Sequence, residues 1–467
     1  MASKKNKTPA TSAKVSTAGV SDDSIAPAPP RTSHEVVQLV LISEAIIDAA
    51  SRTESAYWQA QLEARIADLL AGGIKSARAG ITADKTLMAA LEYADEQFSA
   101  GVAETLAEAC ESVATSCVIN ISNSKVEGDV TTDVYQATLF TIPIIAWTKY
   151  QIAEGAFAND TAAKIEATLR ASIMSPDTLF AINPFLSAID QIPQTFCETR
   201  TLLQTMVAAL INDTPHIAIA SEATTTHAKA DAAPTKQARH KAKNQPRDAV
   251  FPLPADARFI IGVALSKRNC PAFQWQDGLT IRKSQRLTQQ DIFNRWITES
   301  RALFSAILPG CEFEIGLPNA FFHNCRESDI RVRPHRLRAV FSLSKDLLNT
   351  SVGSLGIVIA GVGAGTGPDE IDEYRISITY KGQDDVLNGA LWPLFGAEEA
   401  NLAPLPIEAI QAIVHEQQWG EVTVLEGIHP AEYCEDCGAP FFFNHHGEAT
   451  HPFMPDDIEM PDVNHYH

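Results

Sequence analysis

Phe259-Ile260-Ile261-Gly262-Val263-Ala264-Leu265 is an unbroken apolar run of strand length. It is too short for a buried helix and rich in residues that favour strands, so it predicts a strand covered on both faces. The run also marks a change of period. Upstream of residue 213 the apolar residues recur at helical spacing. Downstream of residue 251, strand-like and helix-like segments mix. The expected fold class is therefore α+β or α/β, an all-helical N-terminal domain followed by a mixed C-terminal domain.

In the upstream part, Leu62, Ile66, Leu69 and Leu70 fall on one helix face, and Gly72-Gly73 follows as a stop. Val102, Leu106, Cys110, Val113 and Cys117 make a second stripe. Ile165, Leu169 and Ile173 make a third, and Leu202, Leu203, Met206, Val207 and Leu210 a fourth. Such helices joined by short turns predict an antiparallel array over 34–212. Cys110 and Cys117 read as core residues rather than nucleophiles.

Residues 213–250 interrupt both periods. In its basic part, 229–247, Lys229, Lys236, Arg239, Lys241, Lys243 and Arg247 stand against Asp231 alone, with no aromatic side chain among them. Such a segment buries too little apolar surface to offset its ordering entropy and reads as a flexible basic linker. The first 33 residues lack an apolar stretch behind their lysines, so they read as a disordered tail, not a secretory signal.

In the downstream domain, expected at 251–430, Leu355–Ala360 and Val422–Leu425 look like buried strands. Tyr374–Tyr380 alternates as a half-covered strand does, and 287–307 and 406–417 read as helices. Gly361-Val-Gly-Ala-Gly-Thr-Gly367 invites a dinucleotide-binding reading. It is followed by Pro368-Asp-Glu-Ile-Asp-Glu373, which would repel phosphate, and by another strand, so a flexible hairpin loop is the better reading. His415-Glu416 starts like a zinc-protease motif, but Trp419 stands where the second histidine belongs, and no G-x-S-x-G elbow is present.

The chain has 467 residues, a formal net charge of -20 and eight cysteines. That charge repels nucleic acid and anionic membranes. No apolar run is long enough to cross a bilayer. With no export signal, the expected location is cytoplasmic, and the cysteines are expected to be buried or metal-binding rather than paired.

The most defined chemistry lies in a tail, 431–467. Cys434-Glu-Asp-Cys437 places two thiols three residues apart on a turn, where both can face one ion, and Gly438 lets the backbone turn back toward a thiolate. Structural zinc takes four nitrogen or sulfur ligands. His445 or His446 together with His451 are candidates for the other two, and Cys270, Cys311 and Cys325 for distant ligands. No lysine or arginine follows Lys381, and seven of the thirteen histidines do. Local negative charge favours a bound cation and disfavours a redox-active thiolate. A structural zinc is preferred to a catalytic one, for which Glu448 would be the candidate base.

A second candidate is the basic segment Arg326–Arg338. Arg331, Arg333 and Arg336 have the chemistry to hold an anion in bidentate fashion. The simpler expectation is that these arginines pair with the acidic surface. Nucleic acid binding is disfavoured, except weakly through linker 229–247 and this segment.

Several strings resemble an uncharacterised bacterial family, the domain of unknown function numbered twenty-eight sixty-three. They are Ser51–Trp58 (SRTESAYW), Ala146-Trp147, Leu308–Cys311 (LPGC), Arg333-Pro334, Asp372–Arg375 (DEYR), Trp392–Gly396 (WPLFG) and Cys434–Pro440 (CEDCGAP). The resemblance implies a shared architecture and no activity. Its tail pattern runs from the cysteine pair through a Gly-Glu to one histidine, which Cys434, Cys437, Gly447-Glu448 and His451 match. Phe441–Phe443 and His445-His446 depart from it.

The expected function is a non-catalytic cytoplasmic interaction or regulatory protein with an unidentified protein partner and a zinc-stabilised tail held by Cys434, Cys437, His451 and His446. The alternatives are a metal-dependent enzyme acting on an anionic substrate, and a weakly RNA-associated protein.

Overall fold

The structure, a computed structural model, describes residues 33–124, 130–148, 152–212, 255–276, 288–348, 352–363, 371–394, 405–435 and 437–452. Four helices lead the chain: α1 (His34–Ile47), α2 (Arg52–Ile74), α3 (Ala77–Gln97) and α4 (Ala100–Thr115). Polar caps start the first two. Ser33 accepts from the Val36 N–H and Ser51 from the Glu54 N–H, satisfying donors that the first helical turn leaves free. The stripes Leu62, Ile66, Leu70 and Val102, Leu106, Cys110, Val113 are buried in one shared core. The helical N-terminal region is thus as the spacing predicts.

The expected helical stretch 34–212 does not stay helical. From Ser116 the chain forms β1 (Ser116–Ser124) and β2 (Val130–Trp147). Cys117 continues the helical stripe by spacing, yet the alternation of Cys117-Val118-Ile119-Asn120-Ile121 suits a half-covered strand. After the short strand β3 (Gly155–Ala156), helices return as α5 (Asn159–Ser172) and α6 (Phe196–Ile211), with the short strands β4 (Leu179–Ile182) and β5 (Phe185–Leu186) between them.

The opening run lies in β6 (Ala255–Lys267), and β6 pairs antiparallel with β2 from Tyr135–Lys267 to Trp147–Ala255. The first sheet has the order β1-β2-β6-β4, and β2 also pairs with β7 (Glu312–Ile315) and β8 (Asn319–Ala320). Residues on both sides of 213–254 therefore share one sheet, which crosses the boundary expected between domains at 34–212 and 251–430. The linker itself and the N-terminal tail lie outside the described residues.

Both faces of the central strands β2 and β6 are covered. Along β2, Phe140, Ile142, Ile144 and Ala146 face α5 and α7 (Gln289–Ile307), whose Trp296 is fully buried. The alternate residues Ala137, Leu139 and Ile145 join Phe259, Ile261, Val263 and Leu265 of β6 against α6. Each large apolar side chain buried in this way contributes about 1.5–3 kcal/mol. Gly262 lies opposite Phe140, and a Cβ there would stand 2.2 Å from the ring. The glycine inside the strand makes room for an aromatic ring.

Helix α8 (Phe321–Leu348) joins the first sheet to a second. Its early residues Phe321 and Val332 pack on β2 and β6, while Leu337 and Phe341 enter the core of the second sheet. That sheet has the order β11-β10-β9-β12, from β9 (Leu355–Val362), β10 (Glu373–Tyr380), β11 (Val386–Pro393) and β12 (Glu421–His429). Strands β9 and β10 are antiparallel neighbours, as the hairpin reading requires, and β12 runs parallel to β9. Residues 364–367 of the glycine loop lie outside the described residues. One face of the sheet is covered by α8 through Leu337 and Phe341, by α9 (Pro406–Glu416) through Ile410, Ile413 and Val414, and by Trp419 just beyond α9. Against the other sits a small lobe carrying β13 (Phe442–Phe443) and β14 (Ala449–Thr450).

Candidate metal centre

The lobe begins where β12 ends. Residues 432–435 and 437–441 form the two sides of a narrow loop, and the sides bond to each other. The Phe441 N–H donates to the Glu432 carbonyl at 3.0 Å, the Cys434 N–H to the Ala439 carbonyl at 2.8 Å, and the Gly438 N–H to the Cys434 carbonyl at 2.8 Å. Gly438 has φ +72°, a left-handed conformation that glycine adopts without strain. Its N–H goes to a carbonyl rather than to a thiolate, so the glycine's role is to close the turn.

This turn brings Cys434 and Cys437 together, and the chain leaving β14 adds His451. The three ligand atoms lie within 4.8 Å of one another. Cys437 Sγ is 3.2 Å from His451 Nε2. His451 Nδ1 lies 2.8 Å from the Pro452 carbonyl, so that nitrogen carries the proton and Nε2 presents its lone pair to the thiols. Two thiols and one oriented imidazole are three of the four ligands a tetrahedral zinc needs. Cys434 is half-buried, while Cys437 and His451 are exposed.

A buried arginine holds the loop in place. Arg375, in the middle of β10, has no exposed side-chain surface and pairs with Glu373 at 2.8 Å. Its Nη1 donates to the carbonyls of Glu432 at 2.8 Å and Phe441 at 2.6 Å, one on each side of the loop's neck. Its guanidinium also lies 5.1 Å from the Tyr433 ring. A single buried guanidinium thus gives the Phe441 carbonyl a donor and adds a second donor to the Glu432 carbonyl, which already accepts the Phe441 N–H. Strand periodicity alone does not single out Arg375; a charge amid the apolar positions of β10 was the available signal. On the same face, Phe442 lies over Gly389 of β11, where a Cβ would stand 2.2 Å from the ring.

His446 does not join the cysteines. The β13–β14 hairpin places 445–446 at its tip and His451 beyond its base, on opposite ends of the lobe. The His446 ring faces Asp384 instead. Glu448, the candidate base, accepts from Asn444 Nδ2 at 2.9 Å and belongs to the hairpin turn. Cys311 and Cys325 pack with the cores of the first sheet, and burial pushes the Cys325 thiol up to about 12. Cys110 is likewise pushed to about 12 by burial, in keeping with a core role.

The arginines of α8 meet protein partners. Arg331 pairs with Glu314 at 2.8 Å, Arg336 with Asp256 at 2.9 Å, Arg338 with Glu416 at 2.8 Å, and Arg326 with Glu111. Arg333 is buried. Pro334 lacks the N–H that would bond the Ile330 carbonyl, and Arg333 Nε donates to that carbonyl at 3.3 Å. The same side chain donates to the Pro393 carbonyl and lies 5.0 Å from the Trp392 ring, tying the proline turn of α8 to β11. The candidate anion-binding trio of Arg331, Arg333 and Arg336 is therefore spread over separate contacts, and Arg331 and Arg336 pair with carboxylates, as the simpler expectation has it.

The strings quoted from the sequence meet in pairs: Arg333-Pro334 with Trp392, and Arg375 with the cysteine loop. A family model described as a protein of unknown function, DUF2863, matches residues 26–233 and 224–465. The chain belongs to the DUF2863 family. No curated protein matches it, and no solved structure does. Among the described residues of this DUF2863 chain, no helix is long and apolar enough to cross a membrane.

Proposed function

We propose that the chain is a non-catalytic cytoplasmic interaction protein, in which a zinc ion bound by Cys434, Cys437 and His451 closes the C-terminal lobe by tying its cysteine loop to the chain that leaves β14. The observation that carries this reading is the convergence of the three ligand atoms within 4.8 Å on a loop whose neck Arg375 closes. Zinc fits the donor set, because thiolates and imidazole select it over oxygen-preferring cations. The use made of the charged groups supports a structural role. Glu448 is spent on Asn444, and Arg326, Arg331, Arg336 and Arg338 are spent on carboxylates.

Elemental analysis of the purified full chain tests the metal. About one tightly held zinc per chain that Cys437→Ser removes is the expected result, with a lowered melting temperature in the variant. Protein free of zinc and unable to take it up overturns the reading.

One observation favours a second reading, a metal-dependent enzyme. The group has three protein ligands and an exposed edge at Cys437 and His451, which resembles a catalytic site with its fourth position left to water. Metal-dependent hydrolysis of an anionic ester that Cys437→Ser abolishes would replace the structural reading with this one.

A further inference from the structure

The tip of the β13–β14 hairpin holds a second group of metal-binding side chains, and it is built rather than incidental. Asn444 is fully buried at the start of the turn. Its Oδ1 accepts the N–H groups of His446 and Glu448, each at 3.0 Å, and its carbonyl accepts from Gly447 at 3.0 Å. Gly447 takes φ +80°. In extended backbone, adjacent side chains point to opposite faces. This turn instead sets the consecutive rings of His445 and His446 only 4.0 Å apart, centroid to centroid.

Both rings face a carboxylate on another element. Asp384, in the β10–β11 turn, has Oδ1 at 3.5 Å from His445 Nε2 and 3.4 Å from His446 Nε2. Charge-assisted hydrogen bonds are shorter, about 2.7–2.9 Å. Two ligands bound to one zinc at about 2.05 Å, at a tetrahedral angle, stand roughly 3.3 Å apart. The observed separations match that edge, and the three ligand atoms lie within 4.8 Å of one another.

We infer that Asp384, His445 and His446 form a second metal site, distinct from the cysteine group, for a borderline divalent transition ion such as zinc, cobalt or nickel. Two imidazoles with one carboxylate select these ions over magnesium and calcium, which prefer all-oxygen shells. The bound ion would clip the hairpin tip to the β10–β11 turn. The cysteine site secures the other end of the same lobe, and neither site depends on the other.

Cobalt(II) titration of the chelator-stripped full chain separates the two, because thiolate ligands give a charge-transfer absorption that nitrogen and oxygen ligands do not. The expected count is two cobalt ions per chain, with the thiolate absorption saturating after one. Asp384→Asn and His446→Gln should each lower the count to one and leave the thiolate absorption unchanged. Cys437→Ser should abolish that absorption and leave one ion. Both altered side chains of the second site are largely exposed, at 64% and 61%, so the fold is not at risk. A wild-type count of one accompanied by thiolate absorption overturns the second site. So does a second ion that survives in either Asp384→Asn or His446→Gln, which would place it elsewhere. A single ion without thiolate absorption, lost in both variants, would keep this site and remove the cysteine site.

Discussion

Arg375 Nη1 donates to the carbonyl of Phe441 at 2.6 Å, from a strand that precedes it by 66 residues. A buried guanidinium thereby sets where the cysteine loop leaves the sheet. Replacing Arg375 with Met leaves Glu373 without its ion-pair partner and removes the side-chain donor to the Phe441 and Glu432 carbonyls. Breaking one side of a buried ion pair costs about 3–5 kcal/mol. The melting temperature should fall accordingly, and limited proteolysis should cut first within 431–452. An unchanged melting curve would rule out this account of the neck.

Gly389 and Gly72 should respond to alanine in opposite directions. At Gly389 the new Cβ meets the Phe442 ring at 2.2 Å, so the lobe must shift off the sheet, at about 1–3 kcal/mol. At Gly72, near the end of α2, nothing lies within 4 Å, and alanine should stabilise the helix by about 0.5–1 kcal/mol. Denaturant unfolding of the two variants gives both signs, and the same sign for both would refute the packing argument.

How much of this was legible beforehand depends on range. The stripes of α2 and α4 and the runs of β6 and β9 were readable, because periodicity is a local property; the cover over the other strands was not, since β10 reads as half-covered yet is buried, and Val422 and Val424 of β12 read as buried yet are exposed. The pairing of β2 with β6 was not, since nothing local in Ala137–Trp147 names its partner. For the cysteine group, the thiols and His451 were readable from ligand chemistry and spacing. The separation of His446 was not, because it follows from a hairpin only two residue pairs long. Arg333 read as an anion ligand; its actual role depends on a carbonyl that Pro334 leaves free.

Acidification should weaken the fold through His335. Its ring stacks on Trp147 at 4.5 Å, and burial holds its pKa below the ordinary 6.5, with Arg338 and Arg331 acting in the same direction and Glu314 against it. The unfolded chain then takes up a proton that the folded chain refuses, so stability is full above about pH 6.5 and is lost as pH falls below it. His429, depressed by burial, adds to the same slope. Melting temperatures across about pH 7.5 to 5.5 should fall less steeply in His335→Gln than in the parent. Parallel curves would exclude His335 as a contributor.

Cutting the chain between β2 and β6 should not separate the pieces. A protease site placed within 229–247 should yield two fragments that run as one species in size exclusion, because the β2–β6 ladder and the α6 contacts hold them together. Fragments that elute apart would contradict the shared sheet.

That ladder also sets an order of events during synthesis. Tyr135 must wait for Lys267, and Trp147 for Ala255, so β2 leaves the ribosome more than a hundred residues before its partner. At roughly 5–20 residues per second the delay is on the order of ten seconds. Throughout it the apolar row Phe140, Ile142, Ile144 has no neighbouring strand to cover its edge. The nascent N-terminal part can close its helical core at once, yet it must be carried with an adhesive strand exposed. The cell's holding chaperones therefore have a defined window, and a defined target, on this chain.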